Sequence, residues 1–359
     1  MRITVVIPFV NLTGGIRVLL GYANWLHDEG HLVTVVYPLW PYRYHFTWND
    51  QVFDFRKQLR TVPRVEWFDL RCRLLRVPFI ANVFLPPGDL VLATSWPTAQ
   101  SVARLHASRG KKVHIVFHHE SGTGPERRIC RTYSLPFHRI AFSRSVRDTV
   151  EQRFDCEIHG VVPAGVDDTL FFKDGEPSQN TVLMLYHNDP RKGADDGVEA
   201  LALLRKRLPD VQIRMCGTVC PERLPSWIPF DFRPIDADLR RLYSTSTVFL
   251  YPSRYEGFGL PPLESMACGC PVVTTEVGAV SEFASNRRNA LVVQPRDVRA
   301  MADGLEELLL NPSLRHELSK RGLETADRYA LTRVAPLFGE ALRHAFERDS
   351  QSSSRGAIA

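Results

Sequence analysis

The segment YEGFGLPPLE, residues 255–264, carries two carboxylates, Glu256 and Glu264, on either side of Gly257-Phe258-Gly259 and Pro261-Pro262. The glycines free the backbone to turn sharply and to approach a ligand closely. Proline fits the first turn of a helix because it has no N–H to lose there. The spacing therefore predicts a helix start at this point, with open amides that can receive an anion or a hydroxyl. Glu264 falls one turn in. A carboxylate accepts two hydrogen bonds from a vicinal diol, which suits a ribose; the same glutamate would also serve simply to complement the helix dipole. Upstream, YHNDPRKGADD (186–196) places Arg191 and Lys192 before Gly193. Cations at a helix start oppose the dipole, so an anionic ligand is the better explanation. Growing charge on a phosphate leaving group is what such cations would stabilise.

Two further segments in the first half of the chain each follow a predicted strand. In NLTGGIRVL, Gly14 and Gly15 would turn backbone amides toward a phosphate or sugar, or would simply make a tight turn. They do not form a dinucleotide fingerprint, because the third glycine and the acidic residue after the second strand are missing. In FHHESG (117–122), strand alternation points His118 and His119 to opposite sides, with Glu120 a third candidate. His119 is the preferred one to face a ligand.

Short β-branched runs that alternate with helical stripes must position these residues. Strands are predicted at 3–9, 32–38, 89–95, 112–120, 139–143 and 157–163. A Gly-, Pro- and Asp-rich stretch at 164–180 reads as a linker. Alternation then resumes with strands over 181–187, 211–217, 246–253, 271–276 and 289–293, and three closing helices. Alternation of this kind predicts parallel doubly wound sheets, whose ligands bind beyond the carboxyl ends of the strands. The expected layout is a first domain over 1–168, a second over 169–330, a helix over 331–348 that packs back on the first, and a disordered polar tail over 349–359.

Composition fits an ordinary globular protein: 359 residues, 44% apolar and 24% charged. No apolar run is long enough to span a bilayer, and MRITVVIPFV reads as a strand and not as a signal peptide. Seven scattered cysteines argue for a reducing, cytoplasmic compartment, and their spacing does not make a zinc site. The net charge of +5 is partly local. Residues 42–76 interleave arginines and lysines with aromatics, which marks either a solvated insertion or an acceptor-side surface that meets an inner membrane face. No nucleic-acid module surrounds it.

YEGFGLPPLESMACGCPVVTTEVGAVSEF closely resembles the donor-binding core of family 4 glycosyltransferases, which have the GT-B fold. HRIAFSRSVRDTV, VVPAGVDDTLF (with Ala164 where the family usually has Asn) and the region 289–329 extend the resemblance over most of the chain. It implies two Rossmann-like parallel-sheet domains facing a cleft. It also implies retaining transfer of a sugar from a nucleotide-sugar donor to a carbohydrate or lipid-linked acceptor, without a metal or other cofactor. Glu264 would hold the ribose. Glu256 and His119 would act at the donor sugar, and the amides of Gly257, Phe258 and Gly259 would help to place it. Lys192 would bind the diphosphate; the family's arginine position holds His187, with Arg191 as the substitute. Glu282 also resembles a family carboxylate. A nucleotide-sugar epimerase or a non-catalytic sugar-nucleotide-binding subunit of the same fold are the alternatives.

Overall fold

The computed structural model describes residues 1–40, 42, 55, 59–118, 120, 123–178, 180–221 and 223–347. The chain divides into two compact units. One comprises Met1–Pro163 together with the chain from Val334 onward, and the other Ala164–Arg333. The boundary falls at Pro163/Ala164, ahead of the expected 168/169, because Val166 is tied into the second unit: its N–H donates to the Tyr329 carbonyl and its carbonyl accepts from Leu331 N–H.

In the first unit, seven parallel strands lie in the order β3-β2-β1-β4-β5-β6-β7: β1 Arg2–Val6, β2 Leu32–Pro38, β3 Arg73–Val77, β4 Leu90–Ala93, β5 Lys111–Val116, β6 His138–Ala141 and β7 Gly160–Val161. The central strands are buried on both faces, as continuous apolar runs such as ITVV and LVLA require. β3 overlaps the end of the basic stretch 42–76, where the sequence predicts no strand. It is an edge strand, and its flanking arginines suit an edge that must not pair with another chain. Residues 43–54 and 56–58 of that stretch lie outside the described residues. The closing helix Leu331–Glu347 supplies this unit with an aromatic anchor: Phe338 stacks on Tyr22 at 4.7 Å between ring centroids. Gly339 lies against Trp25, where an added Cβ would sit 2.8 Å from the indole.

The second unit holds six parallel strands in the order β10-β9-β8-β11-β12-β13: β8 Thr181–Tyr186, β9 Gln212–Gly217, β10 Phe230–Phe232, β11 Val248–Tyr251, β12 Val272–Thr275 and β13 Leu291–Val293. Val182, Met184, Leu250 and Val273 of the sheet pack with Leu201 and Leu204 of helix Ala194–Arg207 and with Met301, Leu305 and Leu308 of helix Val298–Leu310. β8 and β11 are neighbours in the middle of this sheet. The loops that leave their carboxyl ends therefore start side by side, and they are the two loops singled out from the sequence.

Candidate functional site

The loop after β8 is built to bring Lys192 to the end of β11. Asp189 caps the short turn Pro190–Lys192 and accepts from Arg191 N–H at 2.9 Å. Gly193 has φ +63°, and a Cβ there would lie 2.1 Å from the Pro252 carbonyl oxygen, so only glycine lets the two loops touch. The Arg191 carbonyl accepts from Arg254 N–H and Tyr255 N–H at 2.7 and 3.1 Å. Arg254 in turn pairs with Asp196, in the first turn of helix Ala194–Arg207, at 2.5 Å.

Lys192 Nζ sits 2.8 and 2.9 Å from the two carboxylate oxygens of Glu256. Glu256 is 8% exposed, and its Oε1 also accepts from Ser253 Oγ at 2.7 Å and from the Tyr251 hydroxyl. Burial pushes the Tyr251 hydroxyl well above its ordinary range, and the charges of Glu256 and Glu264 push it further, so both carboxylates act on one buried tyrosine. Glu264 is equally buried and accepts from the Tyr243 hydroxyl at 3.4 Å. It lies in helix Leu260–Ala267, which carries its prolines in the first turn and follows Gly259 at φ +91°. A Cβ on Gly259 would meet Val280 at 2.6 Å. Phe258 points its ring into the core beside Phe283 and Tyr329, so this residue can offer a ligand its backbone but not its ring.

The structure thus brings Lys192, Glu256, Gly257–Gly259 and Glu264 together in the second unit. Arg191 is paired within its own turn. It spends its guanidinium on Asp189, with Nη2 2.6 Å from Oδ2. Burial alone would raise the Asp189 pKa, but hydrogen bonds from the Arg191 side chain and backbone hold it down to about 2. His187, at the family's arginine position, is no substitute cation. Burial lowers its pKa, Lys192 lowers it further, and its Nδ1 accepts from Asp189 N–H. Glu282 is exposed.

In the first unit, Gly14 and Gly15 form the first turn of helix Gly14–Asp28, behind a Thr13 cap that accepts from Ile16 N–H. Neither glycine has a positive φ. Gly15 lies against Phe117, with ordinary room for a Cβ at 3.5 Å, so the helix end and not a glycine-only turn sets their amides. His119 lies outside the described residues. His118 Nδ1 accepts from Glu120 N–H at 2.8 Å. Glu120 has φ +58° and receives Trp96 N–H at 2.6 Å; burial drives its pKa up to about 8 against that bond. Tyr251, Ser253, Asp189 and Gly278 escaped the sequence reading. A Cβ on Gly278 would lie 2.0 Å from the Glu256 carbonyl oxygen. Asp189, Tyr251 and Ser253 act on residues two to five positions away in their own loops, whereas Gly278 meets Glu256 from a distant loop.

Residues 166–325 match the family described as "Glycosyl transferases group 1". The chain is 28% identical over 365 residues to the phosphatidyl-myo-inositol mannosyltransferase of Mycobacterium tuberculosis, across 93% of this chain and 94% of that protein. It is 39% identical over 104 residues to O-antigen chain mannosyltransferase B of Escherichia coli, across 29% of this chain and 27% of the relative. Three of the relatives it matches are spanned over only 27%, 53% and 62% of their own lengths. Its fold is that of HepE from Anabaena, solved in complex with UDP and glucose, with a TM-score of 0.73 at 15% identity over 96% of this chain and 99% of that one. The chain thus has the GT-B fold, two α/β domains with parallel sheets. Among its described residues no helix is long and apolar enough to cross a membrane, and no group of three or more His, Cys, Asp or Glu is arranged to hold a metal ion.

Proposed function

We propose that this protein moves a sugar, with retention of its anomeric configuration, from a nucleotide-sugar donor to a hydroxyl of a carbohydrate or lipid-linked acceptor, in the synthesis of a polysaccharide or glycolipid. The observation that carries the reading is the buried carboxylate Glu256 held against Lys192 at the joined ends of β8 and β11, with Glu264 one helix turn beyond the glycine loop. Lys192 faces the donor diphosphate and offsets the charge that grows as the glycosidic bond breaks. Glu256 then accepts from hydroxyls of the donor sugar, and the amides of residues 257–259 help to seat it. Glu264 takes the ribose diol. Arg191 assists the diphosphate only if it leaves Asp189. Lysine and arginine supply charge neutralisation in this reading, and no metal is assigned a role. The glycolipid and polysaccharide names among the relatives, and the UDP and glucose in HepE, support the substrate classes.

The test is donor recognition. The purified protein is screened for a thermal shift against UDP, GDP and dTDP and their sugars, and nucleotide release is measured with polysaccharide and lipid-linked acceptors. One nucleotide should raise the melting temperature by mass action, and its sugar should be transferred. Binding of none of them, with no transfer, overturns the proposal. Turnover of a donor without an acceptor would point instead to an epimerase.

A further inference from the structure

The two oxygens of Glu256 are not treated alike. Oε1 accepts from Lys192 Nζ at 2.8 Å, from Ser253 Oγ at 2.7 Å and from the Tyr251 hydroxyl. Among the described residues, Oε2 accepts from Lys192 alone, at 2.9 Å. Both hydroxyls are themselves fixed. Tyr251 ends the buried strand β11, its ring beside Phe249. The Ser253 carbonyl receives the hydroxyl of Thr275, at the end of the neighbouring strand β12. Ser253 Oγ has one proton to give. Its other acceptors, the carbonyls of Arg191 and Tyr255, are both at 3.2 Å, so the proton goes to Glu256 at 2.7 Å.

Lys192 is the one partner of this carboxylate that can leave. Its side chain is 31% exposed, against 7% for that of Glu256, and a phosphate is a competing ligand for it. A buried carboxylate stripped of its cation would turn toward water or follow the lysine, unless other donors hold it. We infer that Tyr251 and Ser253 are positioning residues: they pin Oε1 of Glu256, so that the carboxylate keeps its place and presents Oε2 to the donor sugar when Lys192 transfers to the diphosphate. The assignment to a donor sugar rests on the function proposed above; the pinning of the carboxylate does not.

The experiment crosses Tyr251→Phe, Ser253→Ala and the double variant with Lys192→Ala, with Ser253→Thr as the conservative control. Melting temperature gives the first readout. Lys192→Ala should lower it by about 4 °C more in the background without the two hydroxyls than in the parent, because only the parent still satisfies Oε1. If the double variant does not fold, Ser253→Ala alone serves as the background. Additive effects overturn the pinning, whatever the enzyme's activity. Steady-state kinetics with the nucleotide sugar found to be turned over gives the second. Ser253→Ala should reduce kcat by roughly 10-fold and the double variant by roughly 100-fold. KM for the donor should move less than about 2-fold, and Ser253→Thr should restore most of kcat. Unchanged kcat, or equal losses in kcat and donor affinity, overturns the positioning role. Absence of turnover in the parent protein counts against the proposed function alone, and the melting cycle still decides the pinning.

Discussion

Glu256→Gln separates a working carboxylate from a structural one. The glutamine keeps the shape of the side chain and one carbonyl oxygen, so Tyr251 and Ser253 retain their acceptor. What disappears is the charge opposite Lys192. At 2.8 Å and an effective dielectric of about 20 the bare attraction is about 6 kcal/mol. The cost of desolvating the pair, and the ease with which a 31% exposed lysine returns to water, reduce the net loss to about 1–2 kcal/mol. For a unit of this size that is a fall of roughly 2–8 °C in melting temperature. Function should suffer far more. An acceptor that strengthens as the transition state forms is worth about 10²–10³ in kcat, and an amide is a weaker acceptor that also turns a donor toward the sugar. Nucleotide release with donor and acceptor, read beside a thermal melt, gives both numbers. A variant with more than half of the parent activity would refute the assignment of Glu256 to the donor sugar. A variant that has lost both fold and activity in parallel would make the glutamate a structural residue.

Lys192→Ala should lower kcat/KM by about 10²–10³, whereas Arg191→Ala should lower it by only about 10-fold, because Arg191 is already engaged by Asp189; similar losses in matched kinetic assays would contradict that ranking. Glu264→Ala should abolish most of the melting-temperature rise given by the cognate nucleoside diphosphate, and an undiminished rise would remove the ribose assignment. Gly278→Ala sets a Cβ 2.0 Å from the Glu256 carbonyl oxygen at φ +50° and should cost about 2–3 kcal/mol in urea unfolding; a neutral effect would mean that this loop yields easily. Glu120 carries its pKa up from 4.5 to about 8 on folding. The folded form therefore holds a proton that the unfolded chain has released between those values. Stability should fall as pH rises from about 5 to 8 and level off above, and urea midpoints of Glu120→Gln over that range should lose this slope.

The central strands were legible because a strand buried on both faces is a continuous apolar run, and β2 ends where the sequence placed it, at Leu32 and Pro38. The edge strands β3 and β10 were missed. One of their sides faces no neighbouring strand, so RLLRV and FDF carry charges that erase the apolar run. The helix Glu126–Tyr133 was missed for a related reason: ERRICRTY buries only Ile129, Thr132 and Tyr133.

Residue type and spacing alone determined the alternation of strands and helices and the glycine loop with its helix start, because those depend on backbone freedom within short segments. Only tertiary structure decided that Lys192 pairs with Glu256. The adjacency of β8 and β11 brings residues 192 and 256 to 2.8 Å. The folding of each loop on itself gives Arg191 to Asp189, two residues away, and makes Tyr251 and Ser253 partners of Glu256. Strand order in a sheet is set by packing between distant segments, and no local pattern encodes which loop ends will meet.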